Sequence, residues 1–256
     1  MKSFTFALLA ALPLCAQGTV GHWNLDVHSM NGTLAGHYQG VSDGNNFLVD
    51  LKDDLGLTRD KAKPGFGLEY QGHRFGLELS VDGQDFAGSK VVTRKVTIDG
   101  TNFNVGARVN STVKSRTTVF NWTIRALTWE HVWLGIDLGA RGLSLDMAAN
   151  GNEPFTGVTA KAAYKISYPV PQLGLSAGFN AFGGRLVGRG YFHELKYRGA
   201  SDTVKGADLR FFPISWLGVR AFTVSEEMRV PKGALDKDID IALDQSGSGF
   251  GVVFRF

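Results

Sequence analysis

The stretch Phe250-Gly251-Val252-Val253-Phe254-Arg255-Phe256 places a bulky apolar side chain at every second position and an arginine on the opposite face. Successive residues of a β-strand point to opposite sides of a sheet, so one face of this strand suits hydrocarbon and the other suits a polar environment. A soluble sheet would seldom finish on an uncovered aromatic residue. The pattern therefore predicts a strand that meets lipid on one side.

The first residues have the order of a secretory leader. Lys2 precedes about a dozen mostly apolar residues, and small residues follow at Ala16 and Gly18. We predict a signal peptide over residues 1–18, cleaved after Ala16 or after Gly18; a short buried helix is the alternative, because the run is shorter than the ~20 residues that span a bilayer. Cleavage would remove Cys15, the only cysteine, so we expect neither disulfides nor thiolate metal sites.

The charge and composition of the rest of the chain exclude two classes of protein. The full sequence has 27 Lys and Arg against 24 Asp and Glu, and the leader contributes only Lys2. This balance gives no basic surface for nucleic acid. After the leader, no apolar run approaches the length of a spanning helix. If residues 19–256, which we predict to be a single domain, enter a membrane, they must do so as a closed sheet with all backbone groups paired.

Alternation with a period of two residues recurs along most of this domain. It is clear in residues 118–126, 132–140 and 158–168, where bulky apolar residues alternate with polar or small ones. Near Gly142 the apolar positions change from even to odd numbers, which we interpret as a shift of strand register. Soluble antiparallel sheets also alternate, so this pattern alone does not identify a membrane protein.

The connections between the strands favour a membrane barrel. Short joins are predicted at residues 71–74, 128–131, 169–172 and 213–215, and long polar connectors lie between them. Short turns on one side and long loops on the other are typical of outer-membrane barrels, and Trp and Tyr mark the level of the lipid headgroups. The residues that we assign to this aromatic girdle are Tyr70, Trp129, Trp133, Tyr164, Tyr168 and Trp216.

The joins also give a strand count. They pair residues 64–71 with 74–86, 113–127 with 132–146, 156–168 with 173–183, and 204–212 with 216–228. With a first strand inside 20–40 and a last one over 245–256, they predict an all-β, closed, antiparallel up-and-down transmembrane β-barrel of about ten strands. Residues 92–109 are predicted as a polar hairpin turning at Asp99-Gly100, and residues 191–198 as a strand extension above the membrane. A count of about twelve would follow if the hairpin spans, and about eight if the first strand does not.

These features together make the chain resemble the small Gram-negative outer-membrane β-barrels of the OmpA, OmpX and OmpW type. The resemblance rests on the leader, the alternating strands, the aromatic-flanked short turns and the terminal Phe254-Arg255-Phe256. It implies a bacterial outer-membrane location, a monomer, contact with outer-membrane lipid and lipopolysaccharide, and recognition by the barrel-assembly machinery. It is architectural, so it implies compartment and fold rather than activity. The implied assembly signal consists of Phe250, Val252, Phe254 and Phe256.

The polar faces of the strands define the predicted interior of the barrel. Opposite charges there should pair, because an unpaired buried charge costs several kcal/mol. A barrel of eight to ten strands is about wide enough for its own side chains or one small ligand. The predicted interior side chains are Glu69, Glu78, Asp82, Asn121, Arg125, Asp137, Lys161, Lys165, Asp208, Arg210, Arg220 and Arg255.

We expect a filled lumen and a structural or surface-interaction role through long external loops, with no cofactor and no metal site. A narrow channel for ions or small solutes is the alternative. A lipid hydrolase or protease is a further alternative, but its only adjacent candidate pair is His28-Ser29, without an evident third member of a triad. The acidic residues Asp50, Asp53 and Asp54 lack the ligand pattern of a calcium loop and are interpreted as a solvated loop face.

Overall fold

The computed structural model describes residues 21–42, 45–98, 101–152, 159–234 and 240–256. The signal peptide that the sequence predicts lies outside these residues. Among the residues described, none belongs to a helix long and apolar enough to cross a membrane. The strands are β1 His22–Ser42, β2 Asn45–Asp50, β3 Leu57–Ala62, β4 Pro64–Gln71, β5 Phe75–Val91, β6 Val96–Ile98, β7 Thr101–Phe103, β8 Arg108–Thr128, β9 Val132–Asn152, β10 Thr159–Ala181, β11 Leu186–Tyr197, β12 Ala200–Ile214, β13 Leu217–Val230 and β14 Asp240–Arg255.

The sheet closes on itself because the last strand pairs with the first. β14 runs antiparallel to β1 from the pair Asn24–Arg255 to the pair Gln39–Asp240. Between them, β4, β5 and β8 to β13 follow in chain order, each antiparallel to its neighbours. The ring has about ten strands, and the predicted all-β up-and-down barrel is confirmed. The short strands β2 and β3 extend its wall: β2 pairs with β1, and β3 pairs with the C-terminal half of β5.

One predicted turn is wrong. Residues 169–172 continue β10, whose ladder to β9 runs without a break from Thr159 to Phe179. The turn lies instead between β10 and β11. Of residues 191–198, predicted as an extension above the membrane, residues 191–197 belong to β11, a strand of the barrel. The two errors cancel in the strand count. The prolines at 169 and 171 are tolerated because, in the described structure, this half of β10 pairs only with β9.

The predicted hairpin over residues 92–109 is present but does not join the barrel wall. β6 and β7 form a separate two-stranded sheet. Its predicted turn, Asp99-Gly100, lies outside the described residues. Val96 and Phe103 are each 1 % exposed and pack into the apolar core at this end of the barrel. The hairpin therefore caps the barrel rather than crossing the membrane.

The half of the barrel near the short turns, which are periplasmic in outer-membrane barrels, exposes apolar side chains outward. On β9, for example, Leu134, Ile136 and Leu138 are exposed while Asp137 is buried inside. An exposed band of this size marks a surface that contacts lipid. We call this band the apolar belt; its described members are Leu25, Val27, Phe66, Leu79, Val81, Phe120, Trp122, Ile124, Leu134, Ile136, Leu138, Leu173, Leu175, Phe179, Leu209, Phe211, Val219, Phe250, Val252 and Phe254.

Above the apolar belt the two faces of the wall exchange polarity. Val109 and Val113 on β8 point inward and are buried, whereas Arg116 is exposed on the outside. On β9, Leu143 points inward in the same way. The ladders that join β9 to β8 and β10 are continuous around Gly142. The predicted register shift at that residue is therefore wrong: the strand leaves the membrane there, and its apolar face turns from lipid to the interior.

The inward apolar side chains of this extracellular half pack with two loops into one cluster, the extracellular core. The loop between β2 and β3 contributes Leu51 and Leu55, and the segment around the β6–β7 hairpin contributes Val92 and Ala107. The wall contributes Leu34, Tyr38, Phe86, Val109, Val113, Leu143, Leu145, Ala149, Met228, Val230, Ile241 and Leu243. This cluster fills the extracellular end of the barrel.

The loop between β2 and β3 and the segment around the β6–β7 hairpin are the two capping loops, and Arg94 links them to each other. Its Nε donates to Asp54 Oδ1 at 3.1 Å and its Nη2 donates to the carbonyl oxygen of Leu48 at 3.0 Å. The hydrogen bond to Asp54 raises the pKa of the Arg94 guanidinium, so Arg94 stays positively charged in this contact.

Candidate functional site

A chain of alternating charges crosses the lumen at the level of the apolar belt. Each member contacts the next, and the members come from β4, β12, β13, β1 and β5, on opposite sides of the ring. Arg210 Nε lies 2.7 Å from Asp208 Oδ1, and Arg220 Nη1 lies 2.5 Å from Asp26 Oδ2. Every charge has a partner of opposite sign, as burial requires. This ion-pair chain runs in the order Glu69, Arg210, Asp208, Arg220, Asp26, His28 and Asp82.

His28 stands between two carboxylates of this chain. Its Nδ1 is 2.8 Å from Asp26 Oδ2 and its Nε2 is 2.5 Å from Asp82 Oδ1. Carboxylate oxygens accept hydrogen bonds, so each ring nitrogen that carries a hydrogen donates to the carboxylate that it faces. Ser29 is exposed on the outer face, since successive strand residues alternate. The structure therefore does not bring the His28-Ser29 pair together.

A second group of ion pairs surrounds Asp137 on β9. Arg189 on β11 donates through Nη1 to Glu78 Oε2 at 2.8 Å and through Nη2 to Asp137 Oδ2 at 3.3 Å. Ser176 donates its hydroxyl to Asp137 Oδ1, and His193 contacts the other oxygen of the same carboxylate. The groups that donate to Asp137 are Thr123, Ser176, Arg189 and His193.

A third ion-pair level lies just below the extracellular core. Arg141 on β9 donates through Nη2 to Glu226 Oε2 on β13 at 2.5 Å, and its Nη1 is 3.9 Å from Asp202 Oδ2 on β12. All three side chains are buried. The next inward residue on β9 is Leu143, which belongs to the extracellular core. Charged bridges therefore cross the lumen up to the point where the apolar filling begins.

A cavity of about 100 Å³ lies among these three levels. Most of the residues that line it have polar side chains, among them His28, Gln172, Tyr191, Arg141 and Gln245, and Met30, Val204 and Phe222 add apolar surface. A polar cavity of this volume suits several water molecules. In the described part of the chain, no group of three His, Cys, Asp or Glu side chains has the arrangement of a metal site.

Most predicted interior side chains do face the lumen, but two lysines do not. Lys165 is 70 % exposed, with Nζ 3.6 Å from Asp146 Oδ1, and Lys161 is exposed as well. The error follows from the supposed turn at residues 169–172: the unbroken ladder keeps odd-numbered residues of β10 on the outside throughout. The side chains placed at or facing the lumen are Glu69, Glu78, Asp82, Asn121, Arg125, Asp137, Asp208, Arg210, Arg220 and Arg255.

Three members of the predicted aromatic girdle lie at the periplasmic rim. Trp129 and Trp216 are exposed beside the turns that follow β8 and β12. Tyr70 packs between Trp23 and Phe75, with ring centroids 5.1 Å and 5.3 Å away. These aromatic residues stand at one end of the apolar belt, where the headgroup region begins.

The other three predicted girdle residues require correction. Trp133 is buried inside the barrel, with the Arg125 guanidinium 4.6 Å from its ring centroid, because Val132 takes the outward position next to it. The side chains of Tyr164 and Tyr168 lie outside the described structure. Their backbones pair with the extracellular half of β9, so neither residue is near a periplasmic turn.

The predicted assembly signal faces outward as a continuous row. Phe250, Val252, Phe254 and Phe256 are all exposed on β14 or directly after it. Their recognition during assembly stays a prediction.

Sequence reasoning missed several buried charges of the lumen. Three of them have a signal, since each interrupts neighbours that are apolar or lack a side chain: Asp26 stands between Leu25 and Val27, Arg141 between Ala140 and Gly142, and Arg189 between two glycines. A charge in such a position has only the lumen to enter when lipid covers the other face. The missed lumen residues are Asp26, His28, Arg141, Arg189, His193, Asp202 and Glu226.

Known proteins share the fold without detectable sequence relationship. No family model matches the chain, and no curated protein sequence matches it. Among solved structures, the chain is similar to the outer membrane protease OmpT from Escherichia coli, with a TM-score of 0.55 and 10% identity over 92% of this chain and 97% of that chain. It also matches the translocator domain of the autotransporter NalP from Neisseria meningitidis, with a TM-score of 0.42 and 11% identity over 94% of this chain and 90% of that chain. A third match is Ail, the attachment invasion locus protein of Yersinia pestis, with a TM-score of 0.30 and 16% identity over 93% of this chain and 100% of that chain.

The likeness to OmpT shows the fold alone, and the apolar belt shows how that fold meets its surroundings. Together they make this chain a bacterial outer-membrane β-barrel protein.

Proposed function

We propose that the protein is a non-conducting outer-membrane barrel whose extracellular half is a folded head with a structural or surface-interaction role. The observation that carries this proposal is the extracellular core, in which apolar side chains of the wall and of two loops fill the mouth of the barrel. Beneath it, ion pairs cross the lumen at three levels. Both features oppose a wide aqueous pathway.

The height of the wall supports a role outside the membrane. β8 and β9 have 21 residues each and β10 has 23. A tilted strand needs about 9–11 residues to span the bilayer, so roughly half of each strand stands above it. The head is thus held by paired backbone rather than by long free loops. A rigid surface of this kind loses little conformational entropy on binding a partner.

Planar-bilayer recordings test the proposal. Full-length protein is refolded in detergent, and its folded fraction is measured by heat-modifiable gel migration. We expect no conductance at a protein density at which an open porin, inserted under the same conditions, conducts readily. Discrete ion-selective openings by the folded protein would contradict the proposal.

A narrow channel for ions or small solutes is the second candidate, and the polar cavity of about 100 Å³ is the observation that favours it. Conduction would require both the Arg141–Glu226 contact and the extracellular core to open. Openings of wild-type protein in the same recordings would select this candidate.

We also propose that the barrel has no catalytic role. Among the described residues, His28 and His193 are held by carboxylates, and neither is hydrogen-bonded to a serine or threonine hydroxyl. Wild-type protein should therefore match a His28→Gln/Ser29→Ala variant in lipid-hydrolysis and protease assays. A turnover by wild-type protein that this variant lacks would overturn the proposal.

A further inference from the structure

Two arginines of the lumen have no carboxylate partner. Arg125 lies near the end of β8 and Arg255 is the last residue of β14, so both stand at the periplasmic mouth of the barrel. Among the described residues, no carboxylate lies within ion-pair distance of either guanidinium. The other arginines that face the lumen each contact a carboxylate; they are Arg141, Arg189, Arg210 and Arg220.

Aromatic rings hold the two guanidiniums instead. Arg125 Cζ lies 4.6 Å from the ring centroid of Trp133, and Arg255 Cζ lies 3.5 Å from that of Phe212. The face of a ring stabilises a positive charge, but it takes none of the N–H donors that lie in the guanidinium plane. These donors therefore remain free to bind an acceptor.

Several donors at the mouth have no acceptor in the described structure. The Arg125 side chain has no hydrogen bond there, and its Nε is buried. Arg255 donates through Nε to Asn24 Oδ1 at 3.3 Å and through Nη1 to the carbonyl oxygen of Gly184 at 3.0 Å, which leaves its Nη2 unused. Asn24 is 2% exposed, and its amide nitrogen is buried without a partner. Unpaired buried donors are unfavourable, and an oxyanion would pair them.

The charges inside the mouth are unequal in number. Glu69 is the carboxylate whose charge acts on both unpartnered arginines, but it is in contact with Arg210. One carboxylate therefore serves three guanidiniums. Asp208, the other carboxylate that Arg210 contacts, is shared with Arg220. The mouth thus has more positive than negative groups within reach of an incoming anion.

The short turns around the mouth add to this positive charge. They contain the exposed side chains of Arg74 and Arg185 against a single acidic residue, Glu130. The four turns are residues 72–74, 129–131, 182–185 and 215–216. A cleft lined by one sign of charge raises the local concentration of the opposite ion. The periplasmic end of the barrel therefore attracts anions.

The two arginines are accessible from the periplasm. Their side chains are partly exposed, whereas Arg210, further inside, is 6% exposed. The extracellular core fills the opposite end of the barrel. Because both side chains point into the lumen, the headgroups of the surrounding lipid lie on the other side of the wall. An anion that meets these arginines therefore comes from the periplasmic solution.

We propose that Arg125, Arg255 and Asn24 form an oxyanion site at the periplasmic mouth, which binds the phosphate group of a dissolved compound. A guanidinium presents paired N–H donors that match two phosphate oxygens. The amide nitrogen of Asn24 donates beside Arg255. The ring contacts alone would make the two arginines purely structural, but they leave the free donors and the missing carboxylates unexplained. The proposal does not depend on whether the lumen conducts.

Equilibrium dialysis with radiolabelled inorganic phosphate tests the site, with folded full-length protein in a phosphate-free detergent at constant ionic strength. Wild-type protein should bind phosphate saturably. Arg125→Met removes hydrogen bonds to a charged group and should weaken binding ~10-fold or more. The matched control is Arg74→Met, which removes the same charge from an exposed turn at the same end. Salt screens such a charge, so the control should stay within about twofold of wild type.

Competition identifies the source of the phosphate group. Glycerol 3-phosphate should displace the label, because a phosphate monoester presents the same oxygens. Displacement by micellar phosphatidylglycerol but not by glycerol 3-phosphate would show a lipid headgroup site and overturn the proposal.

Three other results would also overturn it: no saturable binding by wild type, equal affinity of wild type and Arg125→Met, or equal loss in Arg125→Met and Arg74→Met. Heat-modifiable migration shows whether each variant is folded. If Arg125→Met does not fold, Arg125→Lys keeps the charge but loses the paired donors and should still weaken binding severalfold. Unchanged binding by that variant would count against the site.

Discussion

Replacing Arg220 with methionine tests whether the ion-pair chain stabilises the barrel. The Arg220 side chain is 13% exposed and donates to both Asp26 and Asp208. Its loss leaves two buried carboxylates with one partner fewer. Arg210 still pairs with Asp208, and His28 still pairs with Asp26. Removing one partner of a buried pair costs about 3–5 kcal/mol, and the remaining partners place the expected loss near the lower end, about 3 kcal/mol.

Urea unfolding of the protein in lipid vesicles, followed by tryptophan fluorescence, measures this loss. The matched control is Arg229→Met on the same strand: Arg229 and Asp244 are 43% and 47% exposed, and an exposed pair contributes about 0–1 kcal/mol. Adding Asp26→Asn to Arg220→Met removes one charge of each sign and should restore part of the stability. Equal effects of the two arginine substitutions, both under about 1 kcal/mol, would refute the reasoning.

Three further substitutions probe the belt, the core and the loops. Leu175→Arg, in the middle of the apolar belt, should lower the free energy of unfolding in vesicles by about 2–4 kcal/mol, and Ser167→Arg, above the belt, by less than about 1 kcal/mol; equal costs would contradict the assigned membrane position. Phe103→Ala empties a site in the extracellular core and should cost about 3–5 kcal/mol of local stability, seen as faster proteolysis of the β6–β7 hairpin while the barrel keeps its heat-modifiable migration; unchanged cleavage would show that the hairpin is not packed. Arg94→Met removes the link to Asp54 and should speed cleavage of both capping loops, whereas cleavage of only one would show that the link does not couple them.

The apolar belt could be predicted from the sequence because lipid leaves one solution for alternating strands. Leu134, Ile136 and Leu138 had to face outward once the sheet was closed. The change of the apolar residues from even to odd positions near Leu143 is also visible in the sequence. However, a slipped register and a strand that passes from lipid into water both produce this pattern. Only the continuous ladder through Gly142 distinguishes them. The same ambiguity produced the wrong turn at residues 169–172.

The lumen could be predicted as a set of charges but not as a set of pairs. Glu69 and Arg210 are 141 residues apart in sequence, and Asp26 and Arg220 are 194 apart. Such contacts depend on which strands stand opposite each other across the ring, and alternation contains no information about that. The third level, around Arg141, lies where the wall changes from polar to apolar inside, so it could not be located before the change itself was recognised.

Spin-label accessibility along β8 tests the exchange of polarity between the two halves of the barrel most directly. Single cysteines would be introduced in turn into a chain in which Cys15, the only cysteine, is replaced. We predict that a label at Trp122 collides with oxygen dissolved in the bilayer, that a label at Lys114 collides with a water-soluble nickel complex, and that a label at Val113 is protected from both. Collisions with the nickel complex at Val113, or with bilayer oxygen at Lys114, would contradict an apolar interior above the membrane.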